Sequence, residues 1–190
     1  MKPITPTTPH VIIMVGIPGA GKTAFAEHFA KTFQAPTVNT QLIQSIADVD
    51  LATATALSLV MLDELLKTSR TVIYEGPTGT KTSRLEISRR VSAAGYKPLV
   101  VWVQTESLEA KRRATKKQKD GSHLSPEEFD AAIKRFHLPT ATEKVVVISG
   151  KHTYATQLKI VLKHLAGQNR VIEPPQEQPR VRSTRNVIIR

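Results

Sequence analysis

No cysteine occurs anywhere in the 190-residue chain, which excludes disulfide scaffolding, thiol catalysis and cysteine-based zinc sites. A reducing, cytoplasmic setting suits such a sequence. Long hydrophobic runs are missing as well. The longest, residues 11–15 and 98–103, fall far short of the roughly 20 residues that span a bilayer, so no membrane-spanning helix is expected. The first ten residues hold three prolines and no apolar stretch, which reads as an extended leader over residues 1–9 and not as a secretory signal. The six histidines, His10, His28, His123, His137, His152 and His164, show no spacing with one another or with carboxylates that would build a zinc site. No internal repeat is present.

Acids are scarce relative to bases: 16 against 27, for a net charge of +11. The excess is local. Residues 111–119, KRRATKKQK, carry six basic side chains and no acid, and the stretch from Gly167 onward adds a further net three from Arg170, Arg180, Arg182, Arg185 and Arg190 against Glu173 and Glu177. The rest of the chain is close to neutral, so charge marks two segments and not a whole surface. With 40% hydrophobic and 23% charged residues, the composition fits one folded globular domain plus a tail.

Periodicity gives the organisation. A continuous β-branched run over residues 10–15 ends in a glycine-rich turn, as a strand buried on both faces does. Helical spacing follows over 23–33, with Phe25, Phe29 and Phe33 in step. Residues 36–38 suit a short second strand, 51–66 an alanine- and leucine-rich helix, and 71–74 a third strand. Residues 81–94 read as a helix stopped by Gly95, 99–103 as a fourth strand, and 108–119 as a basic helix. Ser125-Pro126-Glu127-Glu128 is a strong helix start, and that helix should end near His137, before Pro139. Residues 144–148 form a fifth strand and 154–165 a last helix, while Trp102 is expected in the core. Strands alternating with helices imply βαβ units. The expected fold is therefore three-layer α/β, with about five mainly parallel strands and helices on both faces. Its domain spans residues 10–166, including a basic lid over 111–124. Residues 167–190, with Pro174, Pro175 and Pro179, should be extended or disordered. Their end, residues 180–190, alternates enough to add as a strand to a sheet edge and finishes in Val187-Ile188-Ile189.

Gly16-Ile17-Pro18-Gly19-Ala20-Gly21-Lys22-Thr23 matches G-x-x-x-x-G-K-[ST] in full, directly after a strand and before a helix. In that context Gly16, Gly19 and Gly21 let successive N–H groups, Ala20 among them, point at one anion near a helix N-terminus. Lys22 is placed to reach the β- and γ-phosphates of ATP and the Thr23 hydroxyl to ligate Mg²⁺. Glu75 closes the third strand in Val72-Ile73-Tyr74-Glu75-Gly76-Pro77-Thr78, at the sheet edge where such folds bind ligands. It could hold the Mg²⁺ shell, act as general base, or simply pair with a neighbouring cation. In the basic stretch Arg112, Arg113 and Lys116 share one side of a helix. So many like charges repel unless an anion meets them, which favours a lid closing on the nucleotide over a solvated face or a nucleic-acid contact.

These features together resemble the P-loop kinases of the polynucleotide-kinase-like group, relatives of zeta toxins and more distantly of adenylate and shikimate kinases. The resemblance spans about residues 10–150. It rests on GIPGAGKT, on VIYEGPT followed by Arg84, and on the stretch from Glu109 through Arg112-Arg113 and the Ser125 helix to Phe136, Pro139 and Glu143. It implies an ATP- and Mg²⁺-dependent transfer of the γ-phosphoryl group to a hydroxyl, with a nucleic-acid 5′ end or a nucleoside as acceptor, and Lys22, Glu75, Arg112 and Arg113 as the catalytic set. It also implies that residues 149–151 and Tyr154 pass near the adenine base. Members of the group present an aspartate about twenty residues after the loop lysine, with an arginine three residues on; here Gln41 and Gln44 stand there, and glutamine accepts no proton. Either Glu75, Asp48 or Asp50 supplies a base, or a loose transition state needs none, or the chain binds or hydrolyses NTP and contacts nucleic acid, through residues 111–119 and the tail, without transfer.

Overall fold

A computed structural model describes residues 8–116 and 123–167. The five strands anticipated from the sequence form one parallel sheet in the order β2-β3-β1-β4-β5: β1 (His10–Val15), β2 (Thr37–Asn39), β3 (Val72–Glu75), β4 (Lys97–Gln104) and β5 (Val146–Ser149). Central β1 pairs on both sides, with Ile12 opposite Ile73 of β3 and Leu99 of β4. Side chains alternate across a strand, so one run of β-branched residues feeds two cores. Ile12 and Met14 join one of them; Val11, Ile13 and Val15 join the other.

Helices α1 (Lys22–Phe33) and α7 (Tyr154–Gly167) cover the first core with Phe25, Phe29, Val161 and Leu165. Helices α3 (Leu51–Leu66) and α4 (Lys81–Ala93) cover the second with Leu62, Leu66, Ile87 and Val91. This is the three-layer α/β arrangement of P-loop NTPases. Trp102 is half-buried against the second core. Gly95, beyond α4, takes φ 82°, a left-handed conformation that favours glycine.

Two elements differ from the sequence expectation. Residues Thr40–Ala47 form a short helix, α2, where none was anticipated; Asn39 caps it by accepting from the Leu42 N–H at 3.0 Å. Two turns are too short for a periodic pattern, leaving the cap as the signal. The basic helix α5 runs from Ser107 to Thr115, and Lys116 is already extended; the remainder of the expected helix lies outside the described residues. Helix α6 (Pro126–Arg135) has the anticipated cap, with Ser125 and Glu128 bonded reciprocally. Residues 1–7 of the expected leader and the tail beyond Gly167 also fall outside the described residues.

Candidate nucleotide site

The loop from Gly16 to Gly21 leaves the carboxyl end of β1 and turns into α1. Gly19 and Gly21 hold φ of 73° and 104°. A Cβ on Gly19 would come 2.1 Å from the Ala110 carbonyl oxygen of α5, so any larger residue would drive α5 off the loop. Gly150, after β5, is packed as tightly: its Cβ would meet Thr105 Oγ1 at 2.1 Å and the Ala20 carbonyl oxygen at 2.2 Å. Thr105 Oγ1 donates to the Ala20 carbonyl at 2.9 Å. Helix α5 and the connections after β4 and β5 thus converge on the loop. No side chain caps the N-terminus of α1, which leaves its first N–H groups for an anion.

Lys22 curls over the loop and donates to the Ile17 carbonyl at 3.2 Å. Burial pushes its ammonium below the ordinary lysine range, opposed by the charge of Glu75. Glu75 is 4% exposed. One of its oxygens accepts from Thr23 Oγ1 at 2.7 Å and the other from Asn39 Nδ2 at 3.2 Å. Burial raises this carboxyl above the usual carboxylate range, while Lys22 and the Thr23 hydroxyl pull it back. Lys22, Thr23 and Glu75 therefore come together as the sequence pattern anticipated. Asn39 joins them as well, serving α2 with its Oδ1 and Glu75 with its Nδ2. Sequence reasoning missed it, although asparagine directly before a helical turn is a recognisable cap.

Gln41 is exposed and Gln44 half-buried on α2. Asp50 spends its carboxylate on the Thr53 N–H at 2.8 Å, capping α3, and Asp48 is the exposed C-cap of α2. Glu75 is the carboxylate that bonds the loop. An oxygen pair of hydroxyl and buried carboxylate suits a hard divalent cation, and a nearby cation relieves the cost of ionising a buried acid. Thr23 and Glu75 accordingly fit Mg²⁺.

Helix α5 corrects one expectation. Its like charges are not left to repel, because each of its three basic side chains faces an acid. Arg112 donates twice to Glu109, both at 2.8 Å; Arg113 reaches the same carboxylate at 2.8 Å and the Gly150 carbonyl at 3.1 Å. Lys111 meets both oxygens of Asp130 at 2.8 Å. The two arginines hold the Glu109 carboxyl at about 2. Beside them opens a cleft of about 770 Å³ lined by Glu106, Leu108, Arg112, Arg113 and Lys151 among others.

Arg84 lies behind the site, 1% exposed. It pairs with Glu143 through two bonds of 2.6 and 3.0 Å and donates to the carbonyls of Thr78, Gly79 and His137. His137 N–H returns a bond to the Gly79 carbonyl at 2.9 Å. Arg84, His137 and Glu143, scattered in sequence, are one clamp that ties the connection after Glu75 to the segment after α6.

A family model described as an AAA domain matches residues 11–139. The chain belongs to that family. The matched span runs from β1 through α6 and so contains the phosphate loop, Glu75 and the two arginines of α5. A comparison with curated protein sequences finds no match. Solved structures agree in fold with this AAA-domain chain. A gluconokinase from Sinorhizobium meliloti 1021 superposes with a TM-score of 0.63 at 14% identity, over 85% of this chain and 94% of that one. Chaetomium thermophilum Kti12, solved with ADP-AlF3, gives 0.63 at 14% identity, over 82% and 97%. The Pnkp1/Rnl/Hen1 RNA repair complex gives 0.59 at 19% identity, over 67% and 44%. At these identities the likeness is one of fold, and that fold is P-loop kinase-like.

Proposed function

We propose that this protein is an ATP-dependent phosphotransferase that moves the γ-phosphoryl group of ATP to a hydroxyl acceptor. The observation that carries the reading is the 2.7 Å bond between Thr23 of the phosphate loop and the buried carboxylate of Glu75, formed beside Lys22. In this reading the loop N–H groups from Gly16 to Thr23 bind the phosphates, and Lys22 exchanges its bond to the Ile17 carbonyl for a phosphate oxygen. Thr23 and Glu75 hold Mg²⁺, which when bound neutralises phosphate charge. The cleft between α5 and Lys151 takes the nucleoside end of ATP. Arg112 and Arg113, already ordered by Glu109 at the mouth of that cleft, stabilise charge on the transferring group. The working unit is residues 10–166, and a cytoplasmic setting supplies its ATP.

The acceptor side lies beyond Asn39 and Glu75, where β2 and β3 end together. With Glu75 bonded to the loop, it orients rather than abstracts, and a loose transition state asks little of a base. A nucleic-acid 5′ end or a nucleoside is the acceptor class to test first, since the run 111–119 carries six bases and no acid of its own and one structural relative belongs to an RNA repair complex. Purified protein with γ-labelled ATP should label an oligonucleotide or nucleoside in preference to sugars or proteins. Label entering none of the four would sink the transferase reading.

Gln41, which accepts no proton where the kinase group presents its aspartate, favours a second reading: an NTP-binding or NTP-hydrolysing protein that contacts nucleic acid without phosphotransfer. It predicts ATP turnover with label released only as inorganic phosphate, together with RNA or DNA binding that weakens steeply with salt. Thr23→Ala separates metal from nucleotide in both readings. Its nucleotide affinity should become insensitive to Mg²⁺, measured by titrating a fluorescent ATP analogue with and without the metal.

A further inference from the structure

The carboxyl end of β4 meets the phosphate loop at two points. A Cβ on Gly16 would come 2.7 Å from the Val103 carbonyl oxygen, so the first glycine of the loop lies directly on the strand. Toward the other end of the loop, Thr105 Oγ1 donates to the Ala20 carbonyl at 2.9 Å. Ala20 is fully buried and Thr105 half-buried, so little water competes for this bond.

A third segment closes over the same bond. Gly150 N–H donates to the Gln104 carbonyl at 2.9 Å, and the Gly150 carbonyl accepts from Arg113 at 3.1 Å. These contacts pin the glycine where a Cβ would stand 2.1 Å from Thr105 Oγ1 and 2.2 Å from the Ala20 oxygen. The Thr105–Ala20 bond therefore occupies the space that a side chain at 150 would need. Ala20 N–H is committed as well, donating to the Ile17 carbonyl at 3.2 Å. Both peptide groups of Ala20 are thus set by neighbours, one within the loop and one from β4.

A trans peptide sends its C=O and its N–H in opposite directions, and no cis peptide occurs among the described residues. Fixing the Ala20 carbonyl on Thr105 therefore fixes the N–H of Gly21, which opens α1 at its uncapped end. Gly21 has no Cβ to restrict φ, so this peptide is free to flip unless something holds it. We propose that Thr105 is a positioning residue for phosphate binding: by holding the Ala20 carbonyl it keeps the Gly21 N–H aimed at the anion bound in the loop. The assignment rests on the reading of the loop as a phosphate site, and adds to that site a side chain that touches no phosphate itself. A donor already aimed costs nothing to order when the anion arrives, whereas an unheld peptide must first be turned.

Calorimetric titration of the full-length chain with inorganic pyrophosphate and with ADP tests this without any turnover. Thr105→Val keeps the branched shape and loses the hydroxyl; both affinities should fall about three- to tenfold, the loss set by one hydrogen bond. Thr105→Ser restores the hydroxyl and should return both to within about twofold of the parent. If valine lowers the melting temperature, Thr105→Ala against Thr105→Ser gives the same contrast with no added bulk. Parent-like binding in Thr105→Val, alongside a Lys22→Ala variant that has lost affinity, would overturn the proposal and leave the loop reading intact. A loss that serine does not restore would overturn it too, since packing and not the hydroxyl would then be responsible. A parent chain that binds neither pyrophosphate nor ADP would remove the loop reading and the proposal together.

Discussion

Two glutamate–arginine clusters, one behind the candidate site and one over it, use the same chemistry for different ends. Glu143 meets Arg84 where the arginine is 1% exposed and also donates to three carbonyls. Glu109 meets Arg112 and Arg113 on a helix face where Arg112 remains 68% exposed. Both carboxyls are held at about 2. A low carboxyl pKa therefore does not tell a structural pair from one that is free to exchange partners; burial and the remaining donors do. In the first cluster every guanidinium nitrogen is committed. In the second, water competes for the pair, and a phosphate could replace Glu109 at small cost.

The largest effect that would test this contrast is expected from Arg84→Ala. It removes a fully buried guanidinium from the half-buried Glu143, which keeps its Thr140 donors, and from three carbonyls, and should lower stability by about 3 kcal/mol, measured by urea unfolding. A loss under about 1 kcal/mol would put Arg84 in the same class as the exposed pair. Lys22→Ala comes next: nucleotide affinity should fall roughly 100-fold or more, since a charge-assisted contact to phosphate is lost, while the melting temperature holds. Parent-like binding would make the loop a structural turn.

Replacing Arg112 and Arg113 together with alanine should reduce kcat by about tenfold or more with little change in stability, because charge stabilisation acts mainly in the transition state. A similar loss from Lys117→Ala and Lys119→Ala would indicate a diffuse basic face instead. Acid titration sharpens the comparison further. The folded-state pKa of Glu143 lies below its ordinary value of 4.5, so its stabilisation is present above that value and is lost as pH falls from about 4.5 toward about 2. Melting temperatures across that window should drop less in Glu143→Gln than in the parent. Glu109→Gln should have the smallest effect: its carboxyl is also held low but solvent screens the exposed pair, so it should depart from the parent over the same acid window less than Glu143→Gln does, and an equal or larger departure would show that the α5 pair also contributes to the fold.

Much of this molecule was legible in the sequence because its signals are local. A β-branched run, a glycine loop and a helical period fix β1, the phosphate loop and α1 without reference to anything distant, and Ser125-Pro126-Glu127-Glu128 announces α6 by its own capping chemistry. Glu75 was found by its place at a strand end, a rule of sheet edges. Helix α2 was missed because two turns carry little periodicity. The pairing of α5 was misjudged because Glu109 stands just outside the basic run and Asp130 is nineteen residues beyond Lys111.

The sequence by itself determined the layer order, the phosphate loop and the candidate cation pair of Thr23 and Glu75. Only the tertiary structure decided which side chains share an environment. Pairing of parallel β2 with β3 brought Asn39 to Glu75 across 36 residues, and packing of α4 against the segment after α6 brought Arg84 to Glu143 across 59. The tertiary structure also decided that an apolar stripe of Leu57, Val60 and Met61 on α3 faces outward while Leu62 and Leu66 face the sheet. Helical periodicity states that an apolar face exists, but on a helix apolar nearly all round it does not say which face the sheet will take.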